Sequence, residues 1–474
     1  MGKDLQADIC VIGAGSAGLS VAAGAAQLGA ATVLVERGRM GGDCLNFGCV
    51  PSKALLVAAK AAKFHRGTEA LGVRYRAPSI DFLAVRDHVR RVIASIAPND
   101  SVERFEGLGV QVLPAHARFV GPRELDAGGT RIRARRFVVA SGSSPLVPPI
   151  SGLEDIDYLT NETVFDLTQC PAHLIVVGGG PIGCELGQAF RLLGAEVSII
   201  EMAAILPRDD PELVDILRTR LRGDGVRLYE GTKVVAVEKT ASGIAARLHR
   251  DGREERLEGS TLLIAAGRQA NVDGLDLEAA GVGYDRRGIH VDRRLRTTNR
   301  KIYAAGDVVG GHQFTHIAGY HAGIVIRNAL FRWPARLDDS AVPWVTYCEP
   351  ELAHVGRTET EARRAHANIR VLRWPYAEND RARAERRIDG LIKVVTTPKG
   401  RILGASIVGA QAGELIHPWV LALSRHLKIG AMATAITPYP TLGEIGKRAA
   451  GSFYVHKLFS ERTRRLVRFL GLFG

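Results

Sequence analysis

Residues 9–36 read ICVIGAGSAGLSVAAGAAQLGAATVLVE, and residues 174–201 read LIVVGGGPIGCELGQAFRLLGAEVSIIE. Every landmark of the first stretch returns after the same 165 positions, as from Gly13 to Gly178. Gly15 and Gly18 answer to Gly180 and Gly183, LGA at 28–30 to LGA at 193–195, and Glu36 to Glu201. Each unit is an apolar strand, a G-x-G-x-x-G turn, a helix, and a second strand ending in an acid. The first glycine permits the tight turn, the second lets a pyrophosphate approach the backbone, and the third lets helix and strand pack closely. The phosphates rest on the helix N-terminus, where free N–H groups and the helix dipole favour anions. One such motif is a weak signal. Two complete units predict two bound dinucleotides. The terminal carboxylate accepts hydrogen bonds from a ribose 2′-hydroxyl and repels a 2′-phosphate, so Glu201 favours NADH, while Arg208 nearby leaves NADPH possible.

Three more apolar runs end on small residues: FVVASG at 137–142, LLIAAG at 262–267 and IYAAGD at 302–307. Small residues at strand ends leave room for a ligand outside the carboxyl edge of a sheet. Ser141, Gly142, Gly267 and Asp307 are therefore expected against the cofactors.

The chain of 474 residues is long enough for two to four domains, and its 46% hydrophobic and 24% charged content is ordinary for a globular protein. Its start, MGKDLQADICVIGAG, does not read as a secretory signal, no apolar run is long enough to span a bilayer, and six cysteines are too few for a disulfide scaffold. These features predict cytoplasmic residence. The net charge is +13, carried by scattered arginines such as RIRARR at 131–136, without a nucleic-acid motif or interleaved aromatics. A solvated basic surface is the expectation, and nucleic acid is not. The stretch ERTRRLVRFLGLFG at 461–474 mixes basic and apolar residues as a surface-seeking helix does. Docking onto its own domain or a sister subunit is the preferred expectation there, ahead of peripheral membrane contact.

The reading gives an α/β chain with two Rossmann-like dinucleotide-binding domains. Residues 1–150 with 272–340 form the first, bounded by the proline-rich SSPLVPPISG, and residues 151–271 form the second. Residues 341–474 form a C-terminal α+β domain without a nucleotide motif, expected to dimerise. In it LIKVVTTPKGRILGASIVG reads as two strands about a Pro-Lys-Gly turn, and GELIHPWVLALSRHLK as a helix.

GGDCLNFGCVPSK at 41–53 places Cys44 and Cys49 five positions apart. Zinc needs four ligands, and no second cysteine pair or His-x-His cluster completes a site, so no metal centre is expected. A structural disulfide does not persist in a reducing compartment. A redox pair fits both the compartment and the neighbouring dinucleotides. In a regular helix, Cα atoms five residues apart lie roughly 8–9 Å from each other. A disulfide needs less, so Gly48 and Pro51 must tighten the turn. PSKALLVAAKAAKF then reads as a helix whose N-terminus lowers the pKa of a nearby thiol.

With these motifs in view the chain resembles the flavin-dependent pyridine-nucleotide–disulfide oxidoreductases, the group of dihydrolipoamide dehydrogenase, glutathione reductase and mercuric reductase. The resemblance rests on both nucleotide units, GGDCLNFGCVPSK, AAGR, AAGDV and VPWVTYCEPELAHVG, and so covers almost the whole chain. It implies a glutathione-reductase-like architecture and a homodimer. By resemblance the first dinucleotide is FAD, held by Gly13, Gly15, Ser16, Gly18, Glu36, Gly42, Asp43, Lys53, Ala117, Ser141, Gly142, Asp307 and Thr315. The second is NAD(P)H, held by Gly178, Gly180, Ile182, Gly183, Glu201, Val234 and Gly267. Cys49 looks like the charge-transfer thiolate, Cys44 like the interchange thiol that attacks substrate, and Lys53 with Glu185 like the flavin-side ion pair. Electrons would pass from NADH through FAD to a Cys44–Cys49 disulfide and on to an acceptor.

One position departs from the family. Where many members end in His-Pro-Thr-x-x-Glu, reaching the partner subunit's cysteines, this chain reads TPYPTLGE at 437–444. Glu444 is kept, but Tyr439 stands in the histidine's place. Histidine titrates near 6.5 and exchanges protons at neutral pH, whereas tyrosine, near 10, is a poor base. Three readings follow: a reductase of a small disulfide or lipoyl group, a metal-ion reductase of the mercuric type, and a flavoprotein redox sensor or complex subunit. The second lacks the cysteine pair that mercuric reductases carry at the end of the chain.

Overall fold

The computed structural model describes residues 4–473. The chain divides into two compact units, one of Met1–Met202 with Gly231–Asp338 and one of Ala203–Glu230 with Asp339–Gly474.

The first unit is built on a seven-stranded sheet. Strand Asp4–Ile12 lies at its centre, with Thr32–Glu36 and then Val110–Pro114 parallel on one side. Thr130–Val139 lies parallel on the other side, followed by the antiparallel pair Glu124–Ala127 and Ala117–Gly121. Ile302–Ala304 pairs in parallel with the far end of Thr130–Val139, so the chain returns to its first sheet after nearly the whole second nucleotide unit has been made. Successive side chains of a strand point to opposite faces, and both faces of this sheet are covered. Ile9 and Val11 pack with Ala17, Val21, Ala322 and Val325 of the helices Ser16–Gln27 and Thr315–Ala329. Cys10 and Ile12 pack on the other side with Phe119, Phe137 and Leu275. That double burial is why ICVI reads as an unbroken apolar run rather than an alternating one.

A second parallel sheet carries the other repeat, with His173–Val177 between Glu196–Glu201 and Thr261–Ile264. Its helix, Pro181–Leu192, begins with proline at the first helical position, where the missing N–H is no loss. An antiparallel sheet of Lys233–Thr240, Gly243–Arg250 and Arg253–Gly259 follows.

The second unit contains an antiparallel five-stranded sheet in the order Pro343–Thr346, Glu351–Gly356, Ile402–Gly409, Leu391–Thr396, Arg370–Pro375. Trp419, Ile445 and Ala449 from its helices pack on Val355, Ile392 and Ile407. The stretch GELIHPWVLALSRHLK forms two helices, Ala412–Leu415 and His417–Ser424, rather than one. Pro418 lacks an N–H to continue the first. Among the described residues no helix is long and apolar enough to cross a membrane.

Candidate active site

The two glycine turns are built alike down to single atoms. Gly13 and Gly178 have φ of 103° and 114°, in the region open to glycine. A Cβ on Gly13 would lie 2.4 Å from the carbonyl oxygen of Ala140, and on Gly178 2.3 Å from that of Ala265. A Cβ on Gly18 would meet Gly13 O at 1.8 Å, and one on Gly183 would meet Gly178 O at 2.0 Å. The middle glycines differ. A Cβ on Gly15 would come no nearer than 3.9 Å to another atom, the Cα of Gly42, and one on Gly180 would meet nothing within 4 Å. The fold requires the first and third glycines, and only a ligand requires the second. That empty cradle at the N-terminus of each helix fits a dinucleotide pyrophosphate.

The acids at the strand ends behave alike too. Glu36 accepts from the N–H of Ala14 at 2.5 Å and of Gly38 at 2.6 Å, and Glu201 accepts from the N–H of Gly179 at 2.7 Å. Each carboxylate is thereby locked beside its glycine turn. In the first unit a cavity opens at the carboxyl ends of the strands, lined by Gly13, Glu36, Ala117, Ser141 and Asn271. Its mixed polar and apolar walls and its place at that sheet edge fit the adenosine end of FAD.

Ser16 is the first residue of its helix and Ile182 the second of the matching one. Gly42 opens the short helix Gly42–Asn46, and its own Cβ would fall 2.6 Å from the Cα of Gly15, so the cysteine segment abuts the first glycine turn. Asp43 lies 3.2 Å from Arg268 and accepts from Asn161 at 3.1 Å. Asp307 accepts from Ser143 at 2.6 Å, and Arg268 donates to that same hydroxyl at 2.7 Å. Burial raises the Asp307 carboxyl above its ordinary range, against the Ser143 hydrogen bond and the Arg268 charge. Gly142 and Gly267 both have positive φ, beside the paired strands Ser143–Pro145 and Arg268–Ala270. Val234 is buried at a bulge in its strand.

Three residues that sequence reasoning did not single out bind this region together. Arg268 links Asp43, Ser143 and Asp307. Asn271 exchanges hydrogen bonds with Ser141, whose hydroxyl donates to Asn271 O at 2.7 Å while the Asn271 amide donates to Ser141 O at 3.0 Å. His321, buried on helix Thr315–Ala329, accepts from the N–H of Gly306 through Nδ1 at 3.2 Å, and burial holds its pKa down to about 4. The AAGR motif was a signal for Arg268. Asn271 and His321 carry none, because their role comes from contacts between distant segments.

Cys44 and Cys49 are free thiols. Cys44 sits in helix Gly42–Asn46 and Cys49 heads helix Cys49–Lys63, so the polypeptide turns between two helices rather than running through one. Gly48 makes that turn possible, since a Cβ there would lie 2.8 Å from Asp43 Oδ2. The thiols diverge in acidity. Cys49 is held down to about 6, first by the hydrogen bond from the Cys44 thiol, then by the Thr315 hydroxyl at 3.4 Å and the charge of Lys53, against burial. Cys44 is driven up by the same hydrogen bond, by burial and by the Cys49 charge. At neutral pH the pair holds one thiolate and one thiol. Lys53 Nζ lies 2.8 Å from Glu185, which is buried on helix Pro181–Leu192 rather than solvated. The ring of Phe314, which precedes Thr315, stacks with those of His312 and His316.

In the second unit, Tyr439 is exposed and donates to Asp380 at 3.0 Å, an interaction that raises its pKa further. Glu444 is the first residue of helix Glu444–Leu458. Among the described residues no group of three or more His, Cys, Asp or Glu side chains is placed to hold a metal ion.

The family model for pyridine nucleotide-disulphide oxidoreductases matches residues 7–322, and that for their dimerisation domain matches residues 342–450. The chain is 34% identical over 449 residues to a mercuric reductase of Lysinibacillus sphaericus, covering 94% of this chain and 82% of that one. It is 38% identical over 453 residues to a dihydrolipoyl dehydrogenase of Thermus scotoductus, covering 92% and 95%. Among solved structures, the HOCl-induced flavoprotein disulfide reductase RclA of Escherichia coli superposes with a TM-score of 0.84 at 28% identity, covering 94% of this chain and 99% of that one. LpdA of Mycobacterium tuberculosis does so with a TM-score of 0.86 at 26% identity, covering 94% and 99%. The dimerisation domain makes the assembly a homodimer. The chain belongs to the pyridine nucleotide-disulphide oxidoreductases and is an FAD-dependent, NAD(P)H-using enzyme of that family.

Proposed function

We propose that this enzyme oxidises NADH and delivers the electrons through Cys44 and Cys49 to a small disulfide or lipoyl acceptor. The opposed acidities of the two thiols carry the reading. Bound FAD supplies the step that turns a hydride into two electrons for the cysteine disulfide. Glu201 and the open cradle at Gly180 hold the pyridine nucleotide, and the carboxylate disfavours a 2′-phosphate. Once reduced, the pair keeps one proton on Cys44. After losing that proton, Cys44 attacks a sulfur of the acceptor and one acceptor thiolate leaves. Cys49, already a thiolate, then attacks the Cys44 sulfur, which restores the cysteine disulfide and releases the second acceptor thiolate. Lys53 and Thr315 stabilise the Cys49 anion throughout.

Tyr439 and Glu444 are proposed to reach the active site of the partner subunit. There Tyr439, tied to Asp380, donates a hydrogen bond or a proton and does not act as a base. That favours a second reading, reduction of a thiophilic metal ion such as Hg(II), where thiolates bind the substrate and no base has to recover a proton from Cys44.

The test is anaerobic NADH titration of the holoenzyme beside Cys44→Ser and Cys49→Ser, followed by turnover with lipoamide, glutathione disulfide and Hg(II). A long-wavelength thiolate–flavin absorbance present in Cys44→Ser and absent in Cys49→Ser supports the assigned roles. Absence of that band from the reduced wild type would remove them. Lipoamide or glutathione disulfide turnover that needs both cysteines supports the first reading, and Hg(II) turnover alone supports the second.

A further inference from the structure

Beyond residue 450, where the match to the dimerisation domain ends, the chain forms one more helix, Glu461–Leu470. Ser460 caps it by accepting from the N–H of Thr463 at 3.3 Å. Its residues sort onto two stripes at helical spacing. Glu461, Arg464, Arg465 and Arg468 occupy one face at i, i+3, i+4 and i+7. Leu466, Phe469 and Leu470 occupy the other, with Arg462 at its N-terminal end, and the ring of Phe473 packs edge-on against Phe469 with centroids 5.2 Å apart. No residue of this helix is buried, and Leu466, Val467, Phe469 and Leu470 are 54% to 62% exposed. Its own domain leaves more than half of each of these side chains exposed. Val455, Leu458 and Phe459 just upstream are exposed as well, beside the basic His456 and Lys457.

An apolar stripe left in water needs a cover, and charge selects which one. The helix carries four arginines, Arg462, Arg464, Arg465 and Arg468, against the single acid Glu461. Two copies packed stripe to stripe would cover the apolar side chains but leave the arginines without an anionic partner. An anionic bilayer surface satisfies both stripes at once. The aromatic and leucine side chains enter the boundary of the acyl region, and the arginine stems lie along it with their guanidinium groups among lipid phosphates. The helix is far too short to span the hydrocarbon core, so it lies in the plane of the interface.

We infer that helix Glu461–Leu470 is a membrane-surface anchor that docks the enzyme reversibly on anionic phospholipid. The inference does not depend on the acceptor of the active site. Its test is co-sedimentation of the purified holoenzyme with vesicles of phosphatidylcholine alone or mixed with phosphatidylglycerol, at low and high salt, with sedimentation velocity to read the oligomeric mass. The wild type is expected to bind the mixed vesicles at least about tenfold more strongly than the neutral ones, and less at high salt. The variant Leu466→Glu/Phe469→Glu/Leu470→Glu is expected to lose that binding by about tenfold or more, with its mass and its NADH oxidation in solution unchanged. Arg464→Glu/Arg465→Glu/Arg468→Glu, which keeps the apolar stripe, is expected to lose the preference for anionic lipid. No vesicle binding by the wild type would overturn the inference. So would a change of oligomeric mass in the first variant without a change in vesicle binding, which would make the helix a contact between copies.

Discussion

At the scale of single residues the active site turns on two acidities. The Cys49 thiolate owes most to the hydrogen bond from Cys44, then to Thr315 and Lys53. Cys44→Ala in the reduced holoenzyme is therefore expected to move the iodoacetamide reactivity of Cys49 from a midpoint near pH 6 to a higher one, and Lys53→Met by a smaller amount in the same direction. An unmoved midpoint in Cys44→Ala would contradict the source assigned here. At Tyr439 the shift is upward, so across the neutral range the phenol keeps its proton. Turnover with a disulfide acceptor should then rise with pH through the alkaline range, as solvent takes the proton from Cys44. Tyr439→His should raise neutral-pH lipoamide turnover by about a hundredfold, the low end of what a positioned base contributes. An unchanged rate in Tyr439→His would count against Tyr439 standing where a proton is exchanged.

At the scale of elements, the two strand–turn–helix units show which glycines serve the fold and which serve a ligand. Gly18→Ala and Gly183→Ala each drive a Cβ into a backbone carbonyl, at 1.8 Å and 2.0 Å, and should lower thermal stability or abolish folding. Gly180→Ala meets nothing within 4 Å, so the melting temperature should hold while the KM for NADH rises. A large loss of stability in Gly180→Ala would show that the cradle is not open as described. These glycines were readable in the sequence because their spacing follows from local geometry. The break in GELIHPWVLALSRHLK was not read, although Pro418 marks it. Helix Cys49–Lys63 starts two residues before the PSK motif and includes Cys49 itself, so the thiolate sits directly on the helix N-terminus.

At the scale of the whole molecule, the segment Ala203–Glu230 is knit into the second unit by buried charge. Lys393 is 5% exposed and lies 2.8 Å from Asp210, 2.8 Å from Glu212 and 2.7 Å from Glu359, and Arg373 lies 2.8 Å from Glu212. Removing the central cation leaves the buried Asp210 carboxylate uncompensated, while Glu212 and Glu359 keep Arg373 and Arg363, so Lys393→Met should lower stability by about 3–5 kcal/mol in chemical denaturation. The same segment sets a pH dependence with two signs. Arg373 and then Lys393 hold Glu212 down to about 2, so its contribution is present above its ordinary pKa of 4.5 and is lost as pH falls toward 2. Burial pushes Asp209 up to about 6 although Trp344 donates to it at 2.8 Å, so its contribution is present below 3.8 and is lost as pH rises through 6. Asp209→Asn should flatten the fall in stability between pH 4 and pH 6, and Glu212→Gln the fall below pH 4. Parallel pH profiles for Asp209→Asn and wild type would refute the first assignment.

The sequence by itself determined what local geometry enforces. The 165-residue repeat, the glycine spacing, the acids at the strand ends and the cysteine segment each follow from conformations that few residue types adopt. They led to the family, to FAD and to NAD(P)H. Only the tertiary structure placed the Thr315 hydroxyl, from far along the chain, beside Cys49, whose role as the anion the resemblance implied and to which Cys44 and Lys53 of the same segment contribute. It joined Arg268, Asn271 and His321 to Ser141, Asp43 and Gly306, and it buried the Glu185 that the resemblance pairs with Lys53. It also left every residue of helix Glu461–Leu470 short of burial in its own chain. Burial and long-range hydrogen bonding depend on what the remainder of the chain places beside a residue, and spacing along the sequence does not encode that.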